Sequence, residues 1–363
     1  MRKTILYLVI LALLGFAIYY FLIDNRTDSP FNNGEAGFTI KDTGSIGKLY
    51  IAASNGTAIL AERTDSGWIV NKQYKAMPST LNLLLATLAT QEALYPVTKN
   101  AYENVIRNLS TDGTKVEIYG RDGKKIRTIY VGGVAVNNMG TNMLIDGAKR
   151  PFVVHVAGFN GYLTSRYPTT LKDWRDRTIF NIPPEEIKNI SLQYEGKPVN
   201  SFVLTRDNDT SLTMTGDVNI TKNLGVFNKR RAKIFLKYFT NVNCEGYLNG
   251  LEDMDMTLKT APKQSSIDIT GMHGQHQHAD IYWMAINKRS KNITVSNPDV
   301  PDNYDADRLY AVINNYKDTV MIQQWAFRNI FHKAYEFFQK DVTPSQQHGK
   351  EEWPKNVLMH KDH

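Results

Sequence analysis

The chain holds one cysteine, Cys244, among its 363 residues. An intramolecular disulfide is thereby excluded, and so is a zinc or iron–sulfur site that needs several thiolates. Cys244 reads as a small buried hydrophobe. A strong charge of one sign is also missing: 43 basic residues face 36 acidic ones, for a net charge of +7. The densest basic cluster, Lys229-Arg230-Arg231-Ala232-Lys233, is short and opens a predicted helix. No basic stripe with a recognisable reading module stands out, so no nucleic-acid partner is expected. The patterns G-x-S-x-G, H-E-x-x-H, G-x-G-x-x-G and G-x-x-x-x-G-K-[ST] do not occur, so the sequence nominates no catalytic residue and no cofactor. What remains, 42% hydrophobic and 11% aromatic residues, suits a folded globular chain with large side chains for its cores.

Long apolar runs are scarce, and one matters. From Thr4 to Ile23 no residue is charged and nearly all are apolar. At about 1.5 Å per residue such a helix matches a hydrocarbon core of about 30 Å. Arg2 and Lys3 precede it, and Asp24, Arg26 and Asp28 follow. Residues 1–23 are therefore expected to be a transmembrane signal anchor in the cell inner membrane. The N-terminus would be cytoplasmic and the bulk of the chain periplasmic or otherwise extracytoplasmic. A cleaved signal peptide is the competing reading, since Gly15-x-Ala17 has a small-x-small form. Against it, Ile18-Tyr19-Tyr20-Phe21-Leu22 prolongs the apolar run beyond that point. Residues 24–43, with Ser29-Pro30 and Asn32-Asn33-Gly34, read as a linker.

The rest of the chain repeats itself. Trp174-Arg175-Asp176-Arg177-Thr178-Ile179-Phe180 recurs as Trp325-Ala326-Phe327-Arg328-Asn329-Ile330-Phe331, an offset of 151 residues (325 minus 174). Val116-Glu117-Ile118-Tyr119-Gly120 recurs at the same offset as Ile267-Asp268-Ile269-Thr270-Gly271. Leu81, Leu84, Leu85 and Leu88 have helical spacing, and Ala232, Phe235, Leu236 and Phe239 lie 151 residues further on. Around each helix stand short strand signals closed by Asn-Gly, Ser-Gly or Asp-Gly turns. The expected fold class is α+β: an N-terminal transmembrane helix, then two repeated modules of antiparallel sheet with packed helices. The modules are placed at 44–182 and 183–340, parted near Pro183-Pro184, where paired prolines stop a helix. A last amphipathic helix is expected through Phe331, Ala334, Tyr335 and Phe338, followed by a disordered tail over 341–363.

Three segments are candidate sites. His273, His276 and His278 form the best metal candidate, since residues two apart share one face of a strand. Their matching positions in the first module, Asp122, Lys125 and Arg127, argue for a polar, exposed hairpin tip instead, so no metal is expected. Trp174, Arg177, Trp325 and Arg328 are either packing residues or a ligand groove. Their presence in both copies favours packing, each tryptophan fastening its module's terminal segment onto the sheet. Gly132-Gly133 through Gly140 lacks the helix start and lysine of a phosphate loop and reads as a hairpin connection.

The strand–turn–strand ending in Gly67-Trp68-Ile69-Val70, the leucine helix, Tyr167 and Trp174-Arg177, behind a short N-terminal span, resemble the bacterial domain of unknown function 4340 family. The resemblance spans roughly residues 45–335. It implies a membrane-anchored envelope protein without known catalytic residues, an accessory or scaffold part of a gliding-type ABC transport system. The partners it implies are the inner membrane and a membrane protein such as a transporter permease. A solute- or glycan-binding module using a cleft between the two modules is the alternative.

Overall fold

The computed structural model describes residues 34–136, 138–207, 211–216, 225–293 and 300–339. The apolar run 4–23, most of the linker and the tail from 341 lie outside the described residues. Among the described residues no helix is long and apolar enough to cross a membrane. The chain forms two compact units that part between Asp176 and Arg177, ahead of the Pro183-Pro184 pair. Each mixes helices with an antiparallel sheet.

The first unit opens with a meander: β1 (Ile46–Ala53), β2 (Ala58–Thr64), β3 (Gly67–Val70) and β4 (Tyr74–Lys75). Helix α1 (Pro78–Thr90) follows, with proline at its first turn, where a missing N–H costs nothing. It buries Leu81, Leu84 and Leu88, while Leu85 is partly buried against the same core. Next come β5 (Gln91–Pro96), α2 (Lys99–Thr111), β6 (Thr114–Gly120), β7 (Lys125–Val134), β8 (Thr141–Ile145), β9 (Phe152–Val156) and α3 (Leu171–Trp174). The sheet order is β4-β3-β2-β1-β6-β7-β8-β9-β5. The chain therefore leaves one edge through α1 and reaches the other edge as β5. Sequence reading passes from Leu88 to Lys115 without β5 or α2. The helix is nonetheless written in the sequence, with Tyr102, Val105, Ile106 and Leu109 at helical spacing; of these Val105 and Leu109 are buried.

The second unit comprises β10 (Thr178–Phe180), β11 (Ile187–Tyr194), β12 (Phe202–Arg206), β13 (Leu212–Gly216), β14 (Val226–Phe227) and α4 (Lys229–Leu236). These are followed by β15 (Val242–Asn243), β16 (Gly246–Tyr247), α5 (Met254–Thr260), β17 (Lys263–Gly271), β18 (His276–Ala285), β19 (Tyr304–Ile313), β20 (Asp318–Gln323), α6 (Gln324–Phe327) and β21 (Phe338–Gln339). The order β13-β12-β11-β17-β18-β19-β20-β16 follows the plan of the first sheet strand for strand, from β3 to β5. Details recur with it. Arg63 Nε donates to Ile46 O at 2.9 Å and Arg206 Nε to Ile187 O at 2.9 Å, so each ties the start of its unit's first long strand. The pairings β1–β6 and β11–β17 slip at equivalent places, between Ile46 and Lys48 and between Ile187 and Asn189. Before the helices, Met77 N donates to Trp174 O (2.7 Å) and Asn228 N to Phe337 O (2.8 Å).

Those last two bonds correct the repeat. The counterpart of Trp174 is Phe337, at an offset of 163 (337 minus 174), and not Trp325. Trp174 and Phe337 are both fully buried, whereas Trp325 is 69% exposed. The W-x-x-R-x-I-F skeleton thus falls on unlike places: its first copy straddles the division between units, with Trp174 in one and Arg177 in the other. The expected terminal helix through Phe331 and Phe338 is a 3-10 turn, Ala334–Phe337, followed by β21. A 3-10 turn brings positions three apart onto one side, so Ala334 and Phe337 enter the core while Tyr335 faces solvent.

Candidate functional site

Trp325 is the anomaly from which a site can be built. Helix α6 is one turn long, and residues two apart on a helix point to nearly opposite sides. Phe327 takes the core position, so Trp325 is turned outward. A large aromatic held outward sacrifices burial worth a few kcal/mol. Arg328, at i+3, lies over it, the guanidinium carbon 3.8 Å from the ring centroid, and Arg328 Nη1 donates to Trp325 O at 2.7 Å. The pair stands as one preformed unit.

Trp325 and Arg328 border a hollow of about 410 Å³ that lies wholly within the second unit. The end of β18 contributes Trp283, stacked on Tyr304 with ring centroids 5.7 Å apart. The end of β11 contributes Tyr194, whose hydroxyl donates to His332 O at 3.1 Å. Behind it the turn supplies Glu195, Lys197 and Asn200. The start of β17 adds Lys263 and Gln264, and Phe331 and Lys333 close the rim. Gln324 is held by its amide nitrogen, which donates to Asp305 O at 2.9 Å. Asp305 is itself fully buried, paired with Arg289 Nη2 at 2.7 Å and accepting the N–H groups of Asp307 and Arg308 on its other oxygen. That knot fixes the start of β19 beside the hollow.

Charge in the hollow is unbalanced. Lys263 is paired with Asp280, Nζ to Oδ1 2.7 Å. Burial pushes the Asp280 carboxyl up, but the hydrogen bonds from Lys263 and Ser266 and the lysine charge outweigh it, so it ends below the ordinary range. Setting that pair aside, Lys197 and Arg328 face the single carboxylate of Glu195. Flat aromatic faces, amides and a surplus of cations can hold a polar ligand that carries negative charge.

The histidines lie elsewhere. His273 is in the β17–β18 turn and His276 begins β18 in the open, but the side chain of His278 is only 12% exposed. The expectation of an exposed hairpin tip fails for His278 because the strand register sets it opposite Asp268. Its counterpart in the first unit is Thr128, opposite Glu117, and not Arg127. His278 Nδ1 lies 2.7 Å from Asp268 Oδ1 and His276 Nε2 lies 3.4 Å from the same oxygen. His278 Nε2 is 3.2 Å from Asp280 Oδ1 without hydrogen-bond alignment. Among the described residues no group of His, Cys, Asp and Glu is arranged to hold a metal ion.

Sequence reasoning singled out Trp325 and Arg328 but expected them to pack. It missed Trp283, Lys197, Asn200 and Lys333, which only strand order brings to one hollow. The Gly132–Gly140 segment is the end of β7 and a turn into β8, a hairpin connection. Beyond Gly132 it carries an apolar tip: Val134 is 44%, Val136 98% and Met139 60% exposed.

The profile of a family described as Domain of unknown function (DUF4340) matches residues 68–261. With more than half of its length matched, the chain belongs to this family. The matched stretch is narrower than the 45–335 expected from the resemblance, and runs from β3 of the first unit to the end of α5 in the second. Tyr194, Lys197 and Asn200 fall inside it; Trp283, Trp325 and Arg328 do not. No curated protein and no solved structure matches the chain.

Proposed function

We propose that this chain is a single-span envelope protein that works by recognition and not by catalysis. Residues 4–23 hold it in the inner membrane, its bulk lies outside the cytoplasm, and the hollow of the second unit receives a solute or glycan. The observation that carries the binding role is Trp325, 69% exposed beside a hollow that also presents Trp283. We also infer that the second unit is a repeat of the first, on the shared strand order, arginine tie and helix start.

A second reading, an accessory or scaffold part of a membrane complex such as an ABC-type transport system, is favoured by the exposed tip at Val134, Val136 and Met139. A permease loop is the expected occupant of such a tip. Photo-crosslinking in cells separates the two. A benzophenone amino acid at position 325 should yield an adduct without a protein partner. One at position 136 should yield a protein adduct if the scaffold reading holds as well. A protein adduct at 325 would overturn the recognition role. A reporter fused after His363 that works only outside the cytoplasm should be active; activity of a cytoplasm-only reporter there would refute the topology.

A further inference from the structure

The geometry points to an acidic saccharide as the ligand of the Trp325 hollow, a sugar ring bearing a carboxylate or phosphate; this rests on the recognition role proposed above. A sugar presents an apolar C–H face and a rim of hydroxyls. The C–H face needs a flat, exposed aromatic surface. Arg328 covers one face of Trp325, yet the residue remains 69% exposed, so the other face is open to a ring.

The hydroxyls need neutral groups that both donate and accept. Asn200 and Gln264 provide them in the lining of the hollow, and Glu195 adds an acceptor. The negative group needs a cation that is not already spent. Lys263 is spent on Asp280. Arg328 commits one of its five N–H groups to Trp325 O. Stacking leaves the guanidinium edge able to grip an oxyanion pair while its face stays on the indole. Lys197, exposed on the turn after β11, supplies a second charge. The arginine thus joins the two halves of the recognition, buttressing the ring platform and holding the anion beside it. A neutral sugar would use the platform and leave these charges unanswered. A bare anion would use the charges and leave both tryptophans idle. A hollow of about 410 Å³ lies within the size range of small-ligand sites.

The test is calorimetric titration of the full chain in detergent with four probes: a glucuronic-acid trisaccharide, glucose 6-phosphate, maltotriose and inorganic phosphate. Binding by either acidic sugar, at least about tenfold tighter than by maltotriose, is expected from the worth of a charged hydrogen bond. Lys197→Gln and Arg328→Gln should weaken the acidic sugar about tenfold without changing maltotriose binding. Trp325→Ala should weaken both sugars while the melting temperature stays near that of the parent. Maltotriose binding as tightly as the acidic sugars would overturn the charge requirement, and inorganic phosphate doing so would overturn the sugar. Heat from none of the four would overturn the inference altogether. The recognition role is judged separately, by the adduct at position 325.

Discussion

Two tryptophans in similar sequence contexts have opposite duties, and their substitutions should differ accordingly. Trp174 is fully buried at the end of α3, its Nε1 donating to Pro168 O at 2.7 Å. Trp174→Ala removes a large core side chain and strands a carbonyl, so it should cost about 3–5 kcal/mol in denaturant titration. Trp325→Ala gives up only an exposed stacking contact and should cost at most about 1 kcal/mol. Equal losses would mean that Trp325 is packed after all.

Also at the residue scale, Glu117 on β6 titrates far from the ordinary. The hydrogen bonds from Lys115 Nζ (2.8 Å) and the Tyr119 hydroxyl (2.7 Å), with the charges of Lys115 and Lys125, hold its carboxyl at about 2 against the usual 4.5. A carboxyl more acidic folded than unfolded adds stability above pH 4.5, and that stability drains away as pH falls toward 2. Glu117→Gln should therefore flatten the acid limb of a stability–pH curve between those values and leave the slope near neutrality alone. An unchanged acid limb would show that these donors are not holding the carboxylate.

At the scale of elements, α2 meets the sheet through a glycine. A side chain at Gly132 on β7 would place its Cβ 2.9 Å from Asn142 O and 2.9 Å from Leu109 Cδ2. Leu109 is one of the two residues that α2 buries. Gly132→Ala must push the helix or the β7–β8 pairing outward and should cost about 1–3 kcal/mol. Gly133→Ala meets nothing within 4 Å and is the control, expected to be neutral. Hydrogen exchange should show α2 amides losing protection in the first variant alone. Elements also separate what was legible from what was not. The leucine helix, the Asp122-Gly123 and His273-Gly274 hairpins and the strands around them could be read because their periods are clean. Helix α2 was equally legible, with Tyr102, Val105, Ile106 and Leu109 at helical spacing, and was passed over. The final 3-10 turn was misread because Phe331, Ala334, Tyr335 and Phe338 have helical spacing, whereas the fold buries Ala334 and Phe337.

At the scale of the whole molecule, most of the buried apolar residues among those described fall into two clusters, one from Phe38 to Trp174 and one from Ile179 to Phe337. Separate cores predict two unfolding transitions, because all-or-none behaviour belongs to a single core. Phe235 lies among Phe202, Phe239 and Phe337 with ring centroids 5.1 to 5.7 Å away. Phe235→Ala should cost its unit about 3–5 kcal/mol. In scanning calorimetry it should lower one transition and leave the other in place. A single transition that moves as a whole would show the units unfolding together.

By itself the sequence determined the α+β character, the two-part plan and the family, because hydrophobic periods and turn residues act locally and survive in one dimension. It also nominated Trp325 and Arg328. Tertiary structure alone decided that Trp174 matches Phe337, because the offset of 151 that holds for the helices becomes 168 beyond the longer β18–β19 connection (Ile145 matching Ile313) and falls to 163 at the final segment. A repeat read at one fixed offset cannot register an insertion. It alone also decided that Trp325 faces outward, since whichever of two aromatics on a single turn enters the core depends on the sheet beneath. The hollow followed from the same cause: Lys197, Trp283 and Arg328 are far apart in the chain and become neighbours only where strands β11, β17 and β18 end side by side.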